Sequence, residues 1–226
     1  LNDSYAELYG GNFDKGHLYQ YVPPHDRGER LPLLMFLHGS GGNFKAYLRV
    51  LEGLAQRYRC VVVAPSFGFG SWREGGVDAV ERARAYAVAN LPVDADRAVL
   101  MGLSNGGLGV CRTLVRFPDR YAAAVLVSAA ADQDSLQAEA FRAGWGDKPI
   151  LVFEGEQDNR MPIEYVRSYA QLLGQQGASV DFVSYDDQDH FLFFKIRERV
   201  CADLAAWLAK HAGASPPPEA QPYTQP

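Results

Sequence analysis

Short apolar runs alternate with segments of helical spacing along most of the chain. His17 to Val22 predicts a first strand, ended by Pro23-Pro24. Leu33 to Leu37 is a second apolar run and leads into a glycine cluster. Phe44 to Tyr58 carries Leu48, Leu51, Leu54 and Ala55 on one face, which predicts a helix. Cys60 to Ala64 predicts a β-branched strand before Pro65, and Val77 to Asn90 an alanine-rich helix. Ala98 to Leu103 predicts a buried strand and Gly107 to Phe117 the helix after it, closed by Pro118-Asp119. Strands follow at Ala123 to Val127, Ile150 to Phe153 and Val180 to Tyr185. Helices are expected at Ser135 to Ala143, Pro162 to Gln175 and Phe194 to His211, with Pro162 in a first helical turn. This alternation argues for an α/β fold, a mostly parallel sheet covered by helices on both faces. Ligands of such sheets bind beyond the carboxyl ends of the strands.

Composition narrows the picture. Hydrophobic residues are 47% and charged residues 22%, the balance of a globular and not a disordered chain. Leu1 to Ala212 reads as one folded domain. Gly213 to Pro226, with Pro216-Pro217-Pro218, reads as a proline-rich tail or linker remnant. A net charge of −5 with mixed signs argues against nucleic acid as a partner. No apolar run is long enough to span a membrane, so a soluble protein, cytoplasmic or secreted, is expected. The start at Leu1 fits a mature secreted protein, a trimmed chain or an excised domain, and oligomeric state is left open. Cys60, Cys111 and Cys201 sit in apolar runs; three scattered thiols read as small buried side chains, not a disulfide framework or a zinc site.

The chemistry sits where strands end. Gly102-Leu103-Ser104-Asn105-Gly106 places a serine between a strand and a helix, and flanking glycines leave room for the sharp turn that exposes its hydroxyl. Ser104 is the candidate nucleophile. His38-Gly39-Ser40-Gly41-Gly42 follows the second apolar run. Acyl hydrolysis builds charge on a carbonyl oxygen, which backbone N–H groups stabilise. The N–H groups of Asn105 and Ser40, with Gly39 as alternative, are the candidate oxyanion hole.

Five histidines compete for the role of base. His17 and His25 lie early, His38 belongs to the glycine loop, and His211 ends the last helix. His190 follows the last strand and is the candidate. Asp158, after the strand Ile150 to Phe153, is the candidate acid that orients it; Glu154 and Glu156 compete, whereas Asp187 and Asp189 are close to His190 in sequence but an adjacent residue rarely reaches the ring's Nδ1.

The order Ser104, Asp158, His190 resembles that of the α/β-hydrolase family. Gly155-x-x-Asp158-x-x-x-Pro162 is similar to its acid loop, and Phe117-Pro118-Asp119-Arg120-Tyr121 to the end of its post-nucleophile helix. Within the family, the two glycine motifs look like the esterase, polyhydroxybutyrate-depolymerase and feruloyl-esterase group. Phospholipase/carboxylesterases and prolyl-oligopeptidase-type catalytic domains are also similar. The resemblance implies a serine hydrolase cleaving small-molecule or polymer esters through an acyl-enzyme, without metal or other cofactor. A peptidase and a non-catalytic ligand-binding protein are the alternatives. One short helix is expected between the strands ending at Val127 and starting at Ile150, too little for a cap domain. Phe67, Phe69, Trp72 and Phe191 are candidates for the substrate pocket, though packing is the more ordinary role for any one of them.

Overall fold

The computed structural model describes residues 17–41, 45–68, 72–73 and 75–212. Phe69 and the proline-rich segment from Gly213 lie outside the described residues.

Among the described residues seven strands form one sheet. They are β1 (Leu18–Tyr21), β2 (Leu31–Leu37), β3 (Val61–Pro65), β4 (Val93–Leu103), β5 (Ala123–Val127), β6 (Pro149–Gly155) and β7 (Ser179–Tyr185). Their spatial order is β1-β3-β2-β4-β5-β6-β7. β1 pairs antiparallel with β3, and every other pairing is parallel. β2, β3 and β5 are buried at every position, as expected of parallel strands covered on both faces.

Period-two alternation divides the core into two layers. Leu33, Met35, Leu37, Leu100, Leu126 and Val152 face one side. There they meet α2 (Gly76–Asn90), α3 (Gly106–Arg116) and α6 (Ile163–Gln175) through Val80, Val110, Leu114, Val166 and Leu173. Leu34, Phe36, Val99, Met101, Val125 and Phe153 face the other side. They meet α1 (Lys45–Tyr58) and α8 (Arg197–His211) through Leu51, Leu54, Val200, Leu204 and Leu208.

Several boundaries differ from the sequence expectation. β4 begins at Val93, because Val93 and Asp94 pair with Leu31 and Pro32 despite the polar stretch that follows. Pro162 stands just before α6, not within its first turn. Two short helices, α4 (Gln133–Gln137) and α5 (Glu139–Trp145), replace the single one expected before β6, because Ala138 between them is extended. Leu136, Phe141 and Trp145 are buried in the first core layer. The last helix is also divided, into α7 (Leu192–Lys195) and α8, at a non-helical Ile196. Cys60, Cys111 and Cys201 are buried free thiols, and burial pushes the first two up to about 12. Among the described residues no helix is long and apolar enough to cross a membrane.

Candidate active site

The chain reverses its direction of sheet growth at β2: β3 is laid on one side of it and β4 on the other. The loops leaving β2 and β4 therefore diverge and open a crevice at their carboxyl ends. Ser104 stands there, directly after β4, in the left-handed backbone region at φ 51°. A non-glycine residue rarely adopts this conformation, and here it is fixed from several sides. The Ser104 N–H donates to the Val127 carbonyl at 3.0 Å, and the Ser104 carbonyl accepts from Ala130 and Gly107 at 2.9 and 3.0 Å.

The flanking glycines are required by backbone crowding. A Cβ on Gly102 would lie 2.6 Å from the Gly106 carbonyl carbon, and one on Gly106 would collide with the Leu37 carbonyl. Gly39 brings the β2 loop against the serine: a Cβ there would sit 3.0 Å from the Ser104 Cβ. The clashes at Gly102 and Gly106 involve backbone, which cannot move aside cheaply.

His190 follows β7, and its Nε2 lies 3.0 Å from the Ser104 Oγ. Its Nδ1 lies 2.7 Å from Asp158 Oδ2. Because a carboxylate only accepts, Nδ1 carries the proton and Nε2 is left to accept from the serine hydroxyl. Asp158 is 3% exposed, and its Oδ1 accepts from the Arg160 and Met161 N–H groups at 2.7 and 2.8 Å. The two loops are tied together behind the ring. The Gln157 N–H donates to the Gln188 carbonyl at 2.9 Å, and Gly155 abuts that same carbonyl so closely that no side chain fits.

The other sequence candidates separate clearly. His38 is fully buried; the Phe67 N–H donates to its Nε2 at 3.0 Å, so its proton is on Nδ1, which donates to the Gly39 carbonyl at 2.7 Å. Burial pushes this imidazole down to about 4. It stays neutral and holds the glycine loop in shape. Glu156 bonds outward to Ser184 and Arg167, and Asp189 to Lys195. Ser40 and Asn105 are joined across the crevice by Asn105 Nδ2 donating to Ser40 Oγ at 2.7 Å. Among the described residues no backbone acceptor takes either residue's N–H.

Trp72 corrects the pocket expectation. It is fully buried, its Nε1 donates to the His38 carbonyl at 2.8 Å, and its own carbonyl accepts from Arg112 at 2.9 Å. It anchors the β2 loop and presents no face to a ligand. Phe67 stacks on it at 5.6 Å and is half-buried. Phe191 is exposed, stands edge-on to His190 at 5.8 Å, and carries the Arg160 guanidinium 5.0 Å above its ring. Arg160 at this rim was not singled out by spacing, whereas Glu154, a competitor for the acid, is fully buried close to Asp158.

Comparison with known proteins places this geometry. A model of the prolyl oligopeptidase family matches residues 68–147 and 135–215, together more than half of the chain. The chain belongs to the prolyl oligopeptidase family. It is thus a serine hydrolase, and its fold is that of the α/β-hydrolases. The family was the secondary resemblance in sequence, behind the esterase group. Dipeptidyl-peptidase 5 of Aspergillus fumigatus is 24% identical over 92% of the chain, and the chain spans only 36% of that relative's length. Among solved structures, an esterase from Rhizomucor miehei superposes with a TM-score of 0.71 at 16% identity, over 94% of this chain and 89% of that one. An esterase from Pyrobaculum calidifontis gives 0.69 at 21% identity, over 88% and 82%.

Proposed function

We propose that the protein is a carboxylic ester hydrolase that works through an acyl-enzyme on Ser104. The observation that carries the reading is the unbroken hydrogen-bond chain Ser104–His190–Asp158 at 3.0 and 2.7 Å. His190 Nε2 takes the serine proton as Oγ attacks the ester carbonyl. Asp158 holds the ring in the required tautomer and stabilises the imidazolium. The oxygen of the tetrahedral intermediate is received by the N–H groups of Ser40 and Asn105, each such donor contributing roughly 3–4 kcal/mol. The imidazolium then gives its proton to the leaving alcohol, and a water repeats the cycle to release the acid.

The two helices between β5 and β6 are short and anchor Leu136, Phe141 and Trp145 in the core, which supports a site open to solvent, with Phe191 as an apolar surface beside the relay. An open site suits small or accessible esters. Short-chain p-nitrophenyl esters, roughly C2 to C6, are expected to react faster than long-chain ones. Each methylene adds up to about 0.8 kcal/mol only while it is buried. Measuring kcat/KM across the series decides this, and a steady rise to long chains contradicts it. EDTA is expected to leave the rates unchanged, since serine, imidazole and backbone N–H groups complete the chemistry. Peptide hydrolysis is the second reading, favoured by the family itself and by the dipeptidyl-peptidase relative. Aminoacyl amides tested beside the esters separate the two.

A further inference from the structure

Directly behind the acid of the relay lies a second carboxyl group. Glu154 is the penultimate residue of β6, four positions before Asp158, and is completely buried. Its Oε1 accepts from the Gly155 N–H at 2.8 Å and from the Ser128 hydroxyl at 3.3 Å. Its Oε2 is buried and has no hydrogen-bond partner among the described residues. The titratable groups facing this carboxyl are Asp158 and, from α6, Tyr169, whose buried hydroxyl is likewise without a partner. Among the described residues no lysine or arginine side chain bonds to Glu154 or to Asp158.

Two neighbouring carboxyls with no cation between them cannot both be ionised, so one of them keeps its proton. Asp158 is the one committed to the charged form. A carboxylate offers about four acceptor sites. Three on Asp158 are filled, by His190 and by the Arg160 and Met161 N–H groups, leaving one. Among the described residues Glu154 accepts two bonds, both on Oε1, which leaves Oε2 bare to carry a proton with the Asp158 carboxylate as the neighbouring charged acceptor.

We propose that Glu154 is a positioning residue of the Ser104–His190–Asp158 relay: it stands as a neutral carboxylic acid behind Asp158 and donates its Oε2 proton to the free acceptor site of that carboxylate. The donated bond fixes the Asp158 carboxylate in rotation and shares its charge, which sets how strongly it holds His190. Burial pushes Glu154 up to about 9, so the proton stays in place through neutral pH and leaves at alkaline pH. Its loss turns a donor into a second negative charge beside Asp158. The relay then loosens, and His190 is held more firmly in its protonated form.

This proposal rests on the relay reading above, and the test keeps the two apart. The first arm uses the wild-type protein alone. Its infrared spectrum at neutral pH should contain the C=O stretch of a buried protonated carboxyl, bleaching on titration through about pH 9. The band's presence does not depend on whether Ser104 is the nucleophile. The second arm is the pH profile of kcat/KM on a short p-nitrophenyl ester, corrected for spontaneous hydrolysis. Glu154→Gln, whose amide keeps a donor at the same place, should retain wild-type kcat/KM at neutral pH within about threefold. It should leave the acid limb unmoved and abolish the alkaline fall. Glu154→Leu, which removes the donor, should lower kcat at least about tenfold and move the acid limb upward, beyond anything its change in Tm accounts for. Absence of the infrared band overturns the proposal. So does a Glu154→Gln profile that keeps the alkaline limb, or whose acid limb moves downward, since that marks an anionic Glu154.

Discussion

Ser104→Ala is expected to lower kcat on a soluble short-chain ester by at least about 10⁴-fold while Tm stays close to that of the parent. The size follows from the geometry. Ser104 Oγ is the hydroxyl within reach of His190 Nε2, and its conformation at φ 51° is imposed by the surrounding backbone, not by its own side chain. Removing one oxygen therefore takes away the nucleophile and leaves the turn intact. The activity left should be that of the oxyanion N–H groups and of substrate binding alone. Near-parental turnover in this variant would remove the basis for assigning a relay at all.

His190→Ala should be nearly as damaging, and the double variant Ser104→Ala/His190→Ala little worse than either, because groups that act as a unit do not contribute additively. Asp158→Asn should cost about 10³- to 10⁴-fold. An amide can turn its NH₂ toward the ring, which favours the tautomer in which Nδ1 accepts and Nε2 can no longer take the serine proton. Glu156→Gln should be close to neutral, since Glu156 bonds to Ser184 and Arg167 away from the imidazole. A mild Asp158→Asn beside a severe Glu154→Gln would reverse the roles of the two buried carboxyls. Steady-state kinetics on purified variants, with melting curves to exclude unfolding, distinguishes these outcomes.

The parts of this architecture that were legible in the sequence are those where sterics permit few residue types. Gly102 and Gly106 flank Ser104 because any side chain there would meet backbone, so the turn announced itself as a motif. Apolar β5 and the apolar half of β4 were legible for a similar reason: a strand covered on both faces has no polar positions to confuse the period. The first half of β4 was missed because Asp94, Asp96 and Arg97 look like a loop. In the fold Asp94 pairs with Arg97, and Arg97 also donates to the Arg30 carbonyl at 2.6 Å. That satisfaction depends on a partner 67 residues away, which no local window contains.

Aromatic side chains in loops were the hardest to place. Trp72 and Phe191 both stand beside polar and glycine-rich segments, yet one is sealed beneath the β2 loop and the other is open beside His190. The difference lies in Arg112 and His38, which grip the backbone and indole of Trp72 from distant parts of the chain. Glu154 was read as a competitor for the acid because the strand was expected to end at Phe153, whereas the sheet continues over Glu154 to Gly155 and buries it behind Asp158.

The most direct test of Ser104 as an activated nucleophile is covalent labelling with a fluorophosphonate, which reacts with a serine only when a base and an oxyanion site activate it. One adduct per chain is expected, found by mass spectrometry on the peptide that contains Ser104, absent in Ser104→Ala and strongly slowed in His190→Ala. An unlabelled parent protein, or an adduct on another residue that persists in Ser104→Ala, would contradict it.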